Sequence, residues 1–84
     1  MTIDVLLREA KSLDDLVEEV RLIYKLTYRE GQILKFLLLG KPNSEIAFKL
    51  QIGETTVTSH IRNMGLKMNC SKRPEIVACA IIKN

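Results

Sequence analysis

Residues 54–63, ETTVTSHIRN, gather the side chains of this chain best suited to chemistry. Thr55, Thr56, Thr58 and Ser59 supply hydroxyls, His60 an imidazole and Arg62 a guanidinium. A hydroxyl becomes a nucleophile only beside a base that a third group holds in place. His60 is the single histidine of the chain and has no carboxylate or thiol at a productive spacing. It reads as a packing residue, so catalysis and a metal site are not expected. Cys70 and Cys79 do not stand at metal-ligand spacing and read as small buried apolar residues in a reducing compartment, without a disulfide. No cofactor is implied. What remains is hydrogen bonding without bond breaking, and hydroxyls with an arginine suit bases and phosphates.

The elements that must position these groups follow from apolar spacing. Val57, Ile61, Met64 and Met68 recur at helical intervals, which predicts a helix over 54–68 with the hydroxyls and Arg62 outside. Gly53 takes its cap position after a tight QIG turn. Before that turn SEIAFKL reads as a short helix, capped by Asn43, with Ile46, Ala47 and Leu50 inward. Farther upstream, Thr27 and Glu30 form a capping box that opens a helix ending at Gly40, ahead of Pro42. Downstream, NCSKRP is a turn, Pro74 suits a first helical position, and EIVACAIIK is the last helix. A short helix, a tight turn and a helix with a polar outer face make a helix-turn-helix, whose second helix enters the major groove.

Residues 3–24 carry a further amphipathic pattern. Ile3, Leu6, Ala10, Leu13, Val17, Val20 and Tyr24 step by three and four, which is a heptad seam. Ser12, with Asp14 and Asp15 behind it, suits a fresh helix start after a break near Lys11. Two readings of this segment stand side by side: docking on its own domain, or a coil across a dimer.

Composition fits these elements. The chain has 84 residues, 46% of them apolar and 27% charged, which fits one globular core. With two prolines, four glycines and no period-two run, an all-α fold is expected. The apolar runs are too short to span a membrane, and the N-terminus lacks the flanks of a signal peptide, so a cytoplasmic protein is expected. Charge is unevenly spread. Residues 1–24 carry six acids and three bases, a net of −3, whereas residues 25–84 carry ten bases and four acids, a net of +6. The second segment is the candidate for a polyanionic partner, with the acidic one turned away from it.

The order and spacing of Leu26-Thr27, Arg29-Glu30, Gly40, Asn43, Glu45-Ile46-Ala47, Leu50, Thr56-Val57, His60, Asn63, Lys67 and Arg73 resemble the LuxR/FixJ/NarL-type DNA-binding domain of bacterial transcription regulators. The resemblance runs from Leu26 to about Ile82. It implies a four-helix helix-turn-helix domain over 26–84, preceded here by the amphipathic helix of residues 1–25. It implies base contact by Thr58, Ser59 and Arg62. Phosphate contact falls to Thr55, Thr56, Lys67, Lys72 and Arg73. Dimerisation through the last helix would engage Val77, Ala78, Ile81 and Ile82, since IVACAII is apolar all round and needs a cover. That cover is a second molecule or the N-terminal segment.

The departures from the family pattern bear on function. Hydroxyls at Thr55 and Thr58 replace the family's common Lys or Arg. Gly65 interrupts the recognition helix, at a cost of about 1 kcal/mol relative to Ala. Leu38, Leu39, Phe48 and Leu66 add apolar surface where the family more often has Ala or polar residues. No receiver or ligand-sensing domain is expected ahead of the motif. The leading expectation is a stand-alone regulator that binds duplex promoter DNA as a homodimer and acts on RNA polymerase. The alternative is a protein-interaction module that pairs with another regulator and keeps it off DNA.

Overall fold

The structure, a computed structural model, describes residues 12–82. Five helices run through them: α1 (Leu13–Tyr24), α2 (Tyr28–Leu38), α3 (Asn43–Leu50), α4 (Glu54–Met68) and α5 (Arg73–Ile81). Among the described residues there are no strands, and the all-α expectation is met. Ile3, Leu6, Ala10 and Lys11 of the amphipathic segment lie outside the described residues.

Local chemistry sets most helix ends. Ser12 caps α1 by accepting from the Asp15 N–H at 3.1 Å, and the acidic Asp14 and Asp15 face the positive end of the helix dipole. At the other end Lys25 adopts a left-handed conformation, φ 57°, and the Leu26 N–H closes on the Arg21 carbonyl at 2.9 Å. The capping box of α2 forms as expected. The Glu30 N–H donates to Thr27 Oγ1 at 3.1 Å and the Thr27 N–H donates to Glu30 Oε1 at 2.7 Å. Gly40 follows α2 with φ +76°, a value that favours a residue without a Cβ.

One cap differs from expectation. Asn43 is the first residue of α3 and not its cap; Pro42 holds the cap position and makes no side-chain hydrogen bond. The Asn43 amide is engaged elsewhere, accepting from Arg73. Gly53 precedes α4 as expected, again without a side-chain cap. Pro74 lies in the first turn of α5, behind Arg73.

Helix α2 is the hub, packed against α1, α4 and α5, while α3 lies on α4. Val20, Ile33, Leu34, Ile46, Val57, Met64 and Ile76 are fully buried together. Truncating one of the larger of these to Ala would cost about 2–5 kcal/mol. Val17 and Val20 of α1 belong to this same core. The described part of the heptad seam, from Leu13 to Tyr24, thus packs on its own chain. The reason is physical: the four-helix unit leaves an apolar surface on α2 that α1 covers. Tyr24, at the end of α1, reaches α5, where its Oη lies 3.1 Å from Cys79 Sγ.

Candidate nucleic-acid interface

Helices α3 and α4, joined by Gln51–Gly53, form the expected helix-turn-helix. Gln51 makes the turn with φ 57°, and the Ile52 N–H returns to the Ala47 carbonyl at 3.0 Å. Val57, Met64 and Met68 hold α4 in the core, which leaves Thr55, Thr56, Thr58, Ser59 and Arg62 exposed. The structure thus gathers the expected base-reading residues on one outward face. His60 is half-buried, on the flank of that face.

The individual groups are not equally available. Thr58 Oγ1 donates to the Glu54 carbonyl at 3.1 Å, so its hydroxyl retains only acceptor capacity toward a ligand. Arg62 is exposed and makes no hydrogen bond or ion pair among the described residues. Lys72 is likewise exposed and unpaired, one residue before α5.

Two other cations expected to touch phosphate are occupied within the chain. Lys67 Nζ lies 2.7 Å from Glu30 Oε1, whose carboxylate is buried. Burial pushes the Glu30 carboxyl up, but the hydrogen bonds from Lys67 and Thr27 outweigh it and hold the group below its ordinary range. The Arg73 guanidinium donates to Asn43 Oδ1 at 2.7 Å and to the Lys41 carbonyl. Lys67 therefore ties the recognition helix to the start of α2, and Arg73 ties the start of α5 to the loop before α3. Sequence reasoning missed both ties. Glu30 had a local role in its capping box, and nothing in the spacing signals a partner 37 residues away.

Gly65 also has a structural reason. The Cys70 N–H bonds the Gly65 carbonyl at 2.7 Å, and Asn69 turns with φ 56°. The chain passes so close that a Cβ on Gly65 would meet the Cys70 carbonyl oxygen at 2.6 Å. The glycine is required by this close approach and is not an arbitrary interruption of the helix.

No cluster of three or more His, Cys, Asp or Glu among the described residues could hold a metal ion. The thiols of Cys70 and Cys79 are free and half-buried. Burial pushes the Cys70 thiol up, away from the thiolate that ligation or nucleophilic attack needs. No described helix is long and apolar enough to cross a membrane.

The family model described as bacterial regulatory proteins, luxR family, matches residues 24–80, which spans all of α2 to α4 and nearly all of α5. The chain belongs to the LuxR family. Among its relatives is the HTH-type transcriptional regulator MalT of Vibrio cholerae serotype O1, 42% identical over 55 residues. That match covers 66% of this chain and 6% of the relative. The HTH-type quorum sensing-dependent transcriptional regulator VjbR of Brucella ovis is 41% identical over 56 residues, 67% of this chain and 22% of the relative. The chain thus spans a small part of the length of these LuxR-type relatives. No solved structure matches it. The LuxR-family helix-turn-helix is a DNA-binding domain of transcription regulators.

Proposed function

We propose that this chain regulates transcription in the bacterial cytoplasm by binding duplex promoter DNA as a homodimer, with α4 in the major groove. The observation that supports it most is Arg62. It stands exposed and unpaired on the hydroxyl face of α4, while Lys67 and Arg73 are tied within the fold. A free guanidinium can hold guanine O6 and N7 through two hydrogen bonds. Thr58 and Ser59 flank it as base contacts, Thr55 and Thr56 reach phosphate from the first turn, and Lys72 reaches it from the turn before α5. Dimerisation through the outer face of α5 doubles the contacts and supplies the affinity that a low-charge reading face lacks.

A DNA site selected from a random pool tests this reading. Arg62→Ala should cost roughly 1–3 kcal/mol on that site and relax preference at one position. Unchanged binding would remove Arg62 from the reading face. A second reading, in which the domain pairs with another regulator through protein contacts, draws support from Phe48 and Leu66, which are 82% and 76% exposed. Failure of the selection to enrich any sequence would favour it.

A further inference from the structure

Leu66 lies on the recognition helix, yet it supports nothing in the fold. It is 76% exposed, whereas Met64 and Gly65 beside it are buried. Thr55, Ser59, Arg62 and Leu66 are spaced by four, three and four residues. At about 3.6 residues per turn these four positions fall in one narrow sector of the helix surface. Val57, Met64 and Met68 occupy the opposite side, in the core. Leu66 is thus the continuation of the reading face, one turn beyond Arg62 and about 6 Å farther along the axis.

That place restricts what Leu66 can meet if α4 occupies the groove. An isobutyl group offers no hydrogen bond to a phosphate, a sugar or the polar edge of a base. The major groove presents one apolar feature, the C5-methyl group of thymine. The cleft of about 410 Å³ beside Leu66 adds to the argument, because Ile61 and Ile76 contribute to its lining while Arg62 and Lys72 flank it. A side chain at 66 can pack toward this apolar wall and still keep its outer methyls facing a base pair. We propose that Leu66 is a specificity-determining residue, which selects a T·A pair by packing on the thymine methyl one turn beyond the pair read by Arg62. The inference rests on the DNA-binding reading above and adds a base preference that the hydroxyls and Arg62 do not supply.

Replacing each thymine of a selected site in turn by deoxyuridine removes one methyl group and keeps every hydrogen bond. At one position the wild-type chain should lose affinity roughly fourfold, the worth of one buried methyl-sized group. Leu66→Ala should bind the thymine site about as weakly as wild type binds the uracil site, and should be indifferent to the exchange. Arg62→Ala should remain sensitive to it. If wild type binds the selected site and depends on Arg62, but no thymine couples to Leu66, the inference is overturned while the DNA reading stands. If Leu66→Ala instead changes the sedimentation of the free protein and leaves base preference intact, Leu66 belongs to a protein contact and the inference is again overturned. Absence of any selected site would overturn both.

Discussion

The Lys67 ammonium is 2.7 Å from a carboxylate that is 2% exposed, whereas the Arg62 guanidinium, five residues earlier, faces water. Removing either partner of the Lys67–Glu30 pair has unequal consequences. In Glu30→Gln the freed ammonium can turn into solvent, since the Lys67 side chain is already 35% exposed. In Lys67→Met the carboxylate stays buried with only Thr27 to satisfy it, so that variant should be the less stable of the two, by roughly 1–3 kcal/mol relative to wild type. The pH dependence follows from the lowered carboxyl. A depressed folded-state value means that Glu30 stabilises the fold above its unfolded value of about 4.3, and that this contribution disappears as pH falls through the folded value. Urea denaturation of wild type and Glu30→Gln at a series of pH values should show a gap that is full near neutrality and closes in acid. A constant gap would mean that the pair contributes through shape and not through charge.

At the scale of helices, α4 shows where local propensity and packing disagree. Propensity alone makes Gly65→Ala stabilising by about 1 kcal/mol. The Cys70 carbonyl 2.6 Å from the new Cβ is backbone, closed onto Gly65 by its own N–H, and cannot yield without opening the turn into α5. Gly65→Ala should therefore lower stability by roughly 1–3 kcal/mol, seen as a lower thermal midpoint; a higher midpoint would show that the turn relaxes freely. The same contrast explains how much of the fold could be read in advance. The bounds of α4, the capping box at Thr27 and the Ser12 start of α1 depend on residues within a few positions of one another. The side chains of Ser12, Thr27 and Glu30 meet backbone groups one turn away, and the apolar spacing of α4 repeats along the helix itself, so spacing suffices. The role of Asn43 and the commitments of Lys67 and Arg73 depend on chain segments brought together only by packing. Each of those residues has an adequate local interpretation, and that interpretation concealed the distant one.

At the scale of the whole molecule, two surfaces bear on the proposed homodimer. The acidic residues of α1 are turned outward on a helix whose inner face closes on α2, and Asp14 reaches Lys35 at 2.7 Å. On α5, Ile76 and Ala80 face the core and Tyr24 covers the Cys79 side, but Ala78 and Ile82 stay exposed. Val77 and Ile81 are half-buried between them. The N-terminal segment thus covers one flank of α5, and the face proposed for a second molecule remains open among the described residues. Ile82, 53% exposed, is the better probe of it, because a charge there leaves the monomer core alone. Ile82→Glu should shift sedimentation toward monomer and weaken DNA binding, with helical content unchanged. A dimer that survives this change would place the interface elsewhere.

The contact between Tyr24 and Cys79 gives the chain an optical property. The thiol beside the phenol, together with burial, pushes Tyr24 up to about 12, against about 10 for a free tyrosine. With two tyrosines, two phenylalanines and no tryptophan, the near-ultraviolet spectrum of the protein is dominated by its tyrosines. Tyr28 is 73% exposed, whereas Tyr24 is half-buried against the last helix. The absorbance of ionised Tyr24 develops late in an alkaline titration for as long as the first helix rests on the last. As pH rises from about 10 toward 12, the fold loses what the neutral phenol contributes. Undocking of α1 is therefore visible, without any attached label, as an early rise in tyrosinate colour.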